Sequence, residues 1–140
     1  SDLGPLHGYR IVDLSQIVSG PMATLLLSDQ GAEVLKVEPV DGQDVLRRPS
    51  FARGGFSAFF LNNNRGKRSL AVDLGQPEGR QVILDLVAGA DVFVQNFRPG
   101  VCERLGLGFG LAYLLAFVFL AGGFLVHRGL LNWLAGPGLP

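Results

Sequence analysis

Residues 13–39 read DLSQIVSGPMATLLLSDQGAEVLKVEP, and this stretch decides the fold. With Arg10 to Leu14 it forms a strand–helix–strand unit. The run RIVDL is short and apolar, as a buried parallel strand requires. Ser15 to Gly20 is a turn of small and polar residues. Ser19 can cap the helix, with Pro21 just inside it, where a missing N–H costs little. The helix carries Met22, Leu25, Leu26 and Leu27, and Gly31 sits where a residue past the helix end belongs. Ala32 to Glu38 is the second strand, parallel to the first because a short crossover is right-handed.

Working outward, residues 40–56 read as a polar surface connection containing glycine and arginine. Phe56 to Leu61 is apolar and aromatic, either a short helix or a strand. A second unit follows. Arg68 to Leu74 alternates like a strand, and Pro77 opens a helix bearing Val82, Ile83, Leu86 and Val87. Asp91 to Val94 is the next strand, and Pro99 opens a further helix after a loop of Gln95 to Arg98. Two such units predict an α/β fold with a Rossmann-like, doubly wound parallel sheet, incomplete at this length.

The charge distribution divides the chain. Twelve basic and twelve acidic residues cancel, so net charge argues for neither nucleic acid nor an anionic membrane surface. All the acids lie between Asp2 and Glu103, and beyond Arg104 only Arg128 is formally charged. Leu105 to Val126 is an uncharged run of 22 residues. That length matches the roughly 20 apolar residues that span a bilayer, and it predicts an apolar helical tail. The opening SDLGPLHGYR lacks a basic run followed by an apolar core, so no secretory signal is expected and the location expected is cytoplasmic. One cysteine, Cys102, excludes an internal disulfide and a cysteine-based metal cluster. His7 and His127 have no ligand spacing, and no metal is expected.

Three places can carry chemistry. The turn Ser15–Gly20 runs into a helix N-terminus, whose N–H groups and dipole favour phosphate or carboxylate; every strand–helix unit has such a turn, so plain connection is equally open. Arg65, Lys67 and Arg68 follow three asparagines and suit a polyanion, or simply a solvated basic loop. Asn96, Phe97 and Arg98 follow a buried strand and offer an amide, an apolar face and a planar cation, unless they form only a strand-to-helix turn. No GxSxG, Walker loop or GxGxxG motif is present.

Taken in order, RIVDLSQIVSGPMATLLLSDQGAEVLKVEP, NNNRGKRSLAVDL, QPEGRQVILDLVAGADVFVQNFRPGV and ERLGLG resemble the amino-terminal part of family III CoA-transferases. This family includes formyl-CoA:oxalate and carnitine CoA-transferases and α-methylacyl-CoA racemase. The resemblance covers about residues 4–108, several blocks in the right order. It divides the chain into residues 1–108, an amino-terminal coenzyme A-binding part, and 109–140, an apolar tail outside the family pattern.

The resemblance implies that the three candidate places form one coenzyme A pocket. Residues matching the family's contacts are Val18, Ser19, Val72, Asp73, Leu74, Gly75, Asn96, Phe97, Arg98 and Arg104. Arg65, Lys67 and Arg68 are weaker matches for the adenosine phosphates. Some transferases carry glutamine where this chain has Val18, and some carry arginine where it has Pro39. The first departure removes a group that contributes to acyl handling, and the second leaves one phosphate contact missing or replaced. The implied partners are an acyl-CoA and a carboxylic acid acceptor, with interlocked homodimers in full members.

In the family, an aspartate attacks the acyl-CoA thioester, and transfer runs through an aspartyl-CoA intermediate. Covalent catalysis of this kind splits one hard exchange into easier steps. That aspartate lies beyond the ERLGLG block, where the family continues with an amphipathic helix, an NPRL-strand and a glycine loop. None of these is read in residues 109–140. The expectation is therefore a frameshifted or truncated portion that binds coenzyme A at most, without catalytic residues of its own. The alternatives are a racemase-type member and a non-catalytic or membrane-tethered remnant, the tether being Leu105–Val126.

Overall fold

The structure, a computed structural model, describes residues 3–41, 52–53, 56–107 and 124–125, with side chains of 52, 53, 56, 124 and 125 excepted. Strand β1 (Arg10–Asp13) leads to helix α1 (Ser19–Asp29) and strand β2 (Glu33–Glu38). The short strands β3 (Ala52–Arg53) and β4 (Phe56–Ser57) pair antiparallel and run into helix α2 (Ala58–Asn64). Strand β5 (Arg68–Ala71), helix α3 (Pro77–Ala88), strand β6 (Val92–Val94), helix α4 (Val101–Arg104) and strand β7 (Phe124–Leu125) complete the order.

The main sheet runs β5-β2-β1-β6-β7. β1, β2, β5 and β6 are mutually parallel, and β7 lies antiparallel against β6. The expected α/β parallel sheet is therefore present. Strand order grows outward from β1 through β2 to β5, then reverses to β6 on the other side.

Alternation along the strands sends side chains to two helical layers. Val12, Leu14, Val37 and Phe93 pack with Ile83 and Val87 of α3 and with Cys102 and Leu107. Ile11, Val34 and Val94 pack on the other face with Ala32 and Leu27, beneath α1. Helices thus cover both faces, as the near-continuous apolar strands required. Ile83 and Phe93 have no exposed surface, and burying such a side chain stabilises the fold by about 1.5–3 kcal/mol.

Helix boundaries follow local chemistry. At the end of α1 the Gly31 N–H bonds Ser28 O at 2.9 Å and the Ala32 N–H bonds Leu27 O at 3.1 Å. This pair of bonds needs a left-handed residue between them, and Gly31 supplies it with φ of 100°. At the start of α1 the capping residue is Val18, without a side-chain bond, and Ser19 is the first helical residue. The expected Ser19 cap is therefore corrected by one position. Pro21 still falls in the first turn, where its absent N–H has no intrahelical acceptor to lose.

Phe56 to Leu61, read as helix or strand, holds both: β4 ends at Ser57, whose hydroxyl accepts from the Phe60 N–H at 3.2 Å and caps α2. The helix expected to open at Pro99 begins instead at Val101. Pro99 and Gly100 form a turn closed by Val101 N–H to Arg98 O at 3.1 Å, with Gly100 at φ of 80°. Proline followed by a positive-φ glycine is the chemistry of a type II turn.

Of the apolar run Leu105–Val126, Leu105 and Leu107 pack onto the α3 face and Phe124–Leu125 form β7. The expected helical tail otherwise lies outside the described residues, as does most of the polar connection at 40–56. Among the described residues, no helix is long and apolar enough to cross a membrane.

Candidate functional site

The strand order reverses between β1 and β6, so the loops leaving their carboxyl ends diverge to opposite faces and open a crevice. One loop is Leu14–Val18, the other Gln95–Arg98. A reciprocal pair of bonds joins them. The Gln16 N–H donates to Asn96 Oδ1 and Asn96 Nδ2 donates to Gln16 O, both at 2.8 Å. A planar amide is suited to this, offering an acceptor and a donor side by side. Gln95 is buried, and its side-chain oxygen accepts from the Phe97 N–H at 2.8 Å, fixing the second loop from beneath.

The first loop is fixed from beneath by charge. Asp13, at the end of β1, is fully buried under α1. Its carboxylate accepts from the Ser15 N–H at 2.9 Å, the Thr24 hydroxyl at 2.6 Å and the Lys67 ammonium at 3.1 Å, and also from the Ser15 hydroxyl. Lys36, buried on β2, donates to Ser15 O. Every polar group of Ser15 is thus engaged by a buried ionic side chain. Burial alone would raise the Asp13 pKa. Lys36, Lys67 and the two hydroxyls outweigh it, and the net direction is down. For Lys67 burial dominates and lowers the pKa, opposed by Asp13.

Two further features shape this turn. Gly20, in the first turn of α1, lies so close to Ser15 that an added Cβ would overlap its side chain. Ile17, at the turn's tip, has φ of 69° and is half-exposed. A β-branched side chain is a true outlier there, and such a residue persists only where its surroundings over-determine it. Lys36 on Ser15 O and Asn96 on Gln16 supply that constraint by fixing the two residues that lead into Ile17.

A third loop follows β5. The Asp73 carboxylate accepts from the Gly75 N–H at 2.8 Å, and Arg80 of α3 donates to Leu74 O and Gly75 O, each at 3.1 Å. Between this loop and the first lies a cleft of about 220 Å³, lined in part by Leu14, Gln16, Glu38, Val72, Leu74 and Phe97. Ligand pockets commonly enclose about 300–1,000 Å³, so the described residues form one wall of a site. A larger cleft, about 340 Å³, lies at the opposite edge of the sheet, with Arg10, Arg68, Glu33 and Asp85 at its rim. Two cations and two anions there cancel, and neither a strand's carboxyl end nor a helix N-terminus points into it. Size alone does not make it the better candidate.

The structure thus brings Val72, Asp73, Leu74, Gly75 and Phe97 to one cleft. Asn96 stands beside it but commits its amide to Gln16. Val18 and Ser19 are exposed at the start of α1, and Arg98 is exposed on the second loop. Arg104, exposed on α4, folds its guanidinium over Gly100, next to that loop. The three cations of the NNNRGKR segment part company. Arg65 pairs with Asp29 at 2.7 Å on the surface, Arg68 belongs to the opposite cleft, and Lys67 is internal. Sequence reasoning did not single out Gln16, Asp13, Lys36 or Arg80. A lysine inside the apolar strand EVLKVE was the available signal, because a doubly covered strand must pair such a charge. Among the described residues no group of three or more His, Cys, Asp or Glu could hold a metal.

Comparison with known proteins fits this architecture. The family model described as CoA-transferase family III matches residues 6–111. An acyl-CoA transferase of Fusarium pseudograminearum is 47% identical over 118 residues, covering 78% of this chain and 26% of that protein. A succinyl-CoA:mesaconate CoA-transferase of Haloarcula hispanica is 42% identical over 111 residues, covering 76% and 28%. A crystal structure of a variant of Rv3272 from Mycobacterium tuberculosis superposes with a TM-score of 0.70 at 44% identity, covering 77% of this chain and 29% of that one. The parallel strands with helices on both faces, and a crevice at the strand-order reversal, define an α/β protein of the open-sheet class. The chain belongs to CoA-transferase family III. It spans about a quarter of the length of the curated relatives it matches.

Proposed function

We propose that residues 1–108 are the coenzyme A-binding part of an acyl-CoA:carboxylate CoA-transferase, holding the ligand at the carboxyl edge of β1, β5 and β6. The observation that carries this reading is the Gln16–Asn96 pair, which sets two loops as one unit at the strand-order reversal, beside the 220 Å³ cleft. Val72 to Gly75 and the half-buried Phe97 ring supply an apolar wall for part of the ligand. The N-terminus of α1 at Val18 and Ser19, with Arg98 and Arg104, supplies positive potential for its phosphates. The attacking aspartate and the acyl transfer belong, in this proposal, to the part of the fold that relatives carry beyond the matched stretch. The names of the two relatives described above, an acyl-CoA transferase and a succinyl-CoA:mesaconate CoA-transferase, favour transfer over racemisation. Residues 109–140 stand outside this function.

Calorimetric titration of the chain with coenzyme A tests the reading. Saturable binding is expected, weakened roughly 10- to 150-fold by Arg98→Ala through loss of a charge-assisted contact worth about 1.5–3 kcal/mol. Absence of saturable heat from the folded chain would refute it.

A further inference from the structure

Lys67 belongs to a basic segment that looks, on charge, like a surface for an anion. Its side chain is in fact 1% exposed. The ammonium donates to Asp13 Oδ2 at 3.1 Å, Pro21 O at 2.8 Å and Asn64 Oδ1 at 3.0 Å. An ammonium has three donors, and here each has an acceptor. Those acceptors lie on different elements: the end of β1, the first turn of α1 and the last turn of α2. The two carbonyl and carboxylate partners flank the Ser15–Gly20 turn in sequence, Asp13 before it and Pro21 after it.

This geometry has a consequence for the turn. Asp13 already holds the Ser15 N–H and hydroxyl, and Lys36 holds Ser15 O. Lys67 adds the span across the turn, joining its entry to its exit through one buried cation. A cation so placed cannot reach a ligand, yet it fixes where the backbone N–H groups at the exposed start of α1 stand.

We infer that Lys67 is a positioning residue for the ligand turn, clamping Asp13 to Pro21 so that the Ser15–Gly20 backbone is preorganised for an anionic ligand. The inference rests on the reading of this edge as the coenzyme A site. Preorganisation raises affinity by removing the ordering cost from the binding step. Removing the ammonium therefore weakens binding by more than the loss of global stability accounts for.

The test compares the wild-type chain with Lys67→Met, which keeps length and loses the charge, and with Val87→Ala, a core change on α3 away from the turn. Coenzyme A affinity is measured by calorimetry at a temperature where each variant is folded by circular dichroism, and amide hydrogen exchange is followed in residues 14–21. Lys67→Met is expected to weaken binding about tenfold, a change of about 1.4 kcal/mol, and to speed exchange in 14–21 selectively. Val87→Ala should speed exchange globally and leave affinity within about twofold once folded. Should Lys67→Met not fold, Asn64→Ala, which removes one acceptor, decides by the same readouts. Wild-type affinity and unchanged exchange in 14–21 overturn the inference, as does an equal affinity loss in Val87→Ala. If the wild-type chain binds no coenzyme A while Lys67→Met still loosens 14–21 selectively, the ligand reading fails and the clamp stands.

Discussion

The Gln16–Asn96 pair offers a perturbation whose size follows from geometry. Asn96→Ala removes two partly buried hydrogen bonds of 2.8 Å and leaves both backbone groups of Gln16 without their partners. At about 0.5–1.5 kcal/mol each, the loss is about 1–3 kcal/mol. Asn96→Asp is more informative. One oxygen still accepts from the Gln16 N–H, but the other replaces a donor and faces Gln16 O, acceptor against acceptor. That repulsion raises the introduced carboxyl's folded pKa above its unfolded value of about 3.9. A group raised in the folded state contributes stability below its unfolded pKa and loses it as pH rises through the folded one. Relative to the wild type, Asn96→Asp should therefore recover as pH falls toward about 4, where a protonated carboxyl can donate to Gln16 O. Asn96→Ala should show no such recovery. Urea denaturation of all three proteins at several pH values between about 4 and 8 reads this. An Asn96→Ala protein within about 0.3 kcal/mol of wild type, or a flat Asn96→Asp profile, would refute the clamp.

Burial, helped by Glu103, pushes the Cys102 thiol up to about 11 from its ordinary 9.0. Its contribution is complete below the unfolded pKa and is lost as pH rises through about 11, a change on the order of 2–3 kcal/mol. Cys102→Ala should flatten this alkaline loss in denaturation measured across about pH 8–11, and an unchanged slope would remove Cys102 as its source. Lys67 acts oppositely in that window: its lowered pKa means stability rises with pH until the unfolded lysine titrates near about 10.4. Ile17→Gly should stabilise the chain by about 1 kcal/mol, because the left-handed cost of a β-branched residue is relieved and little buried surface is lost. A lower urea midpoint for Ile17→Gly would show that the turn's tip is not strained.

The strand–helix–strand unit was legible because its punctuation is local. At Gly31 α1 ends, its own N–H bonding three positions back and that of Ala32 five back, and Pro77 opens α3 through its own ring. The period of Ile83 and Val87 marks the buried face of α3, while Val82, counted with them, points to solvent. The site was legible as a set of loops but not as a set of roles. Asn96 reads as an amide for a ligand until Gln16, 80 residues away, takes both its functions. Lys67 reads as a solvated cation until Asp13, 54 residues away, comes within bonding distance. Composition cannot show such pairings, since burial of a charge depends on a partner fixed by the fold. The pairing of β7 with β6 was hidden for another reason: an unbroken apolar run has no period from which to read a strand.

In the proposed function coenzyme A meets the carboxyl edge of β1, β5 and β6. Titrating the isotope-labelled chain with coenzyme A and following backbone amide resonances tests this most directly. The prediction is saturable shifts concentrated in residues 14–20, 72–75 and 96–98, with Arg10, Glu33 and Asp85 at the opposite edge unmoved. Shifts centred on that opposite cleft, or none at saturating ligand, would contradict it.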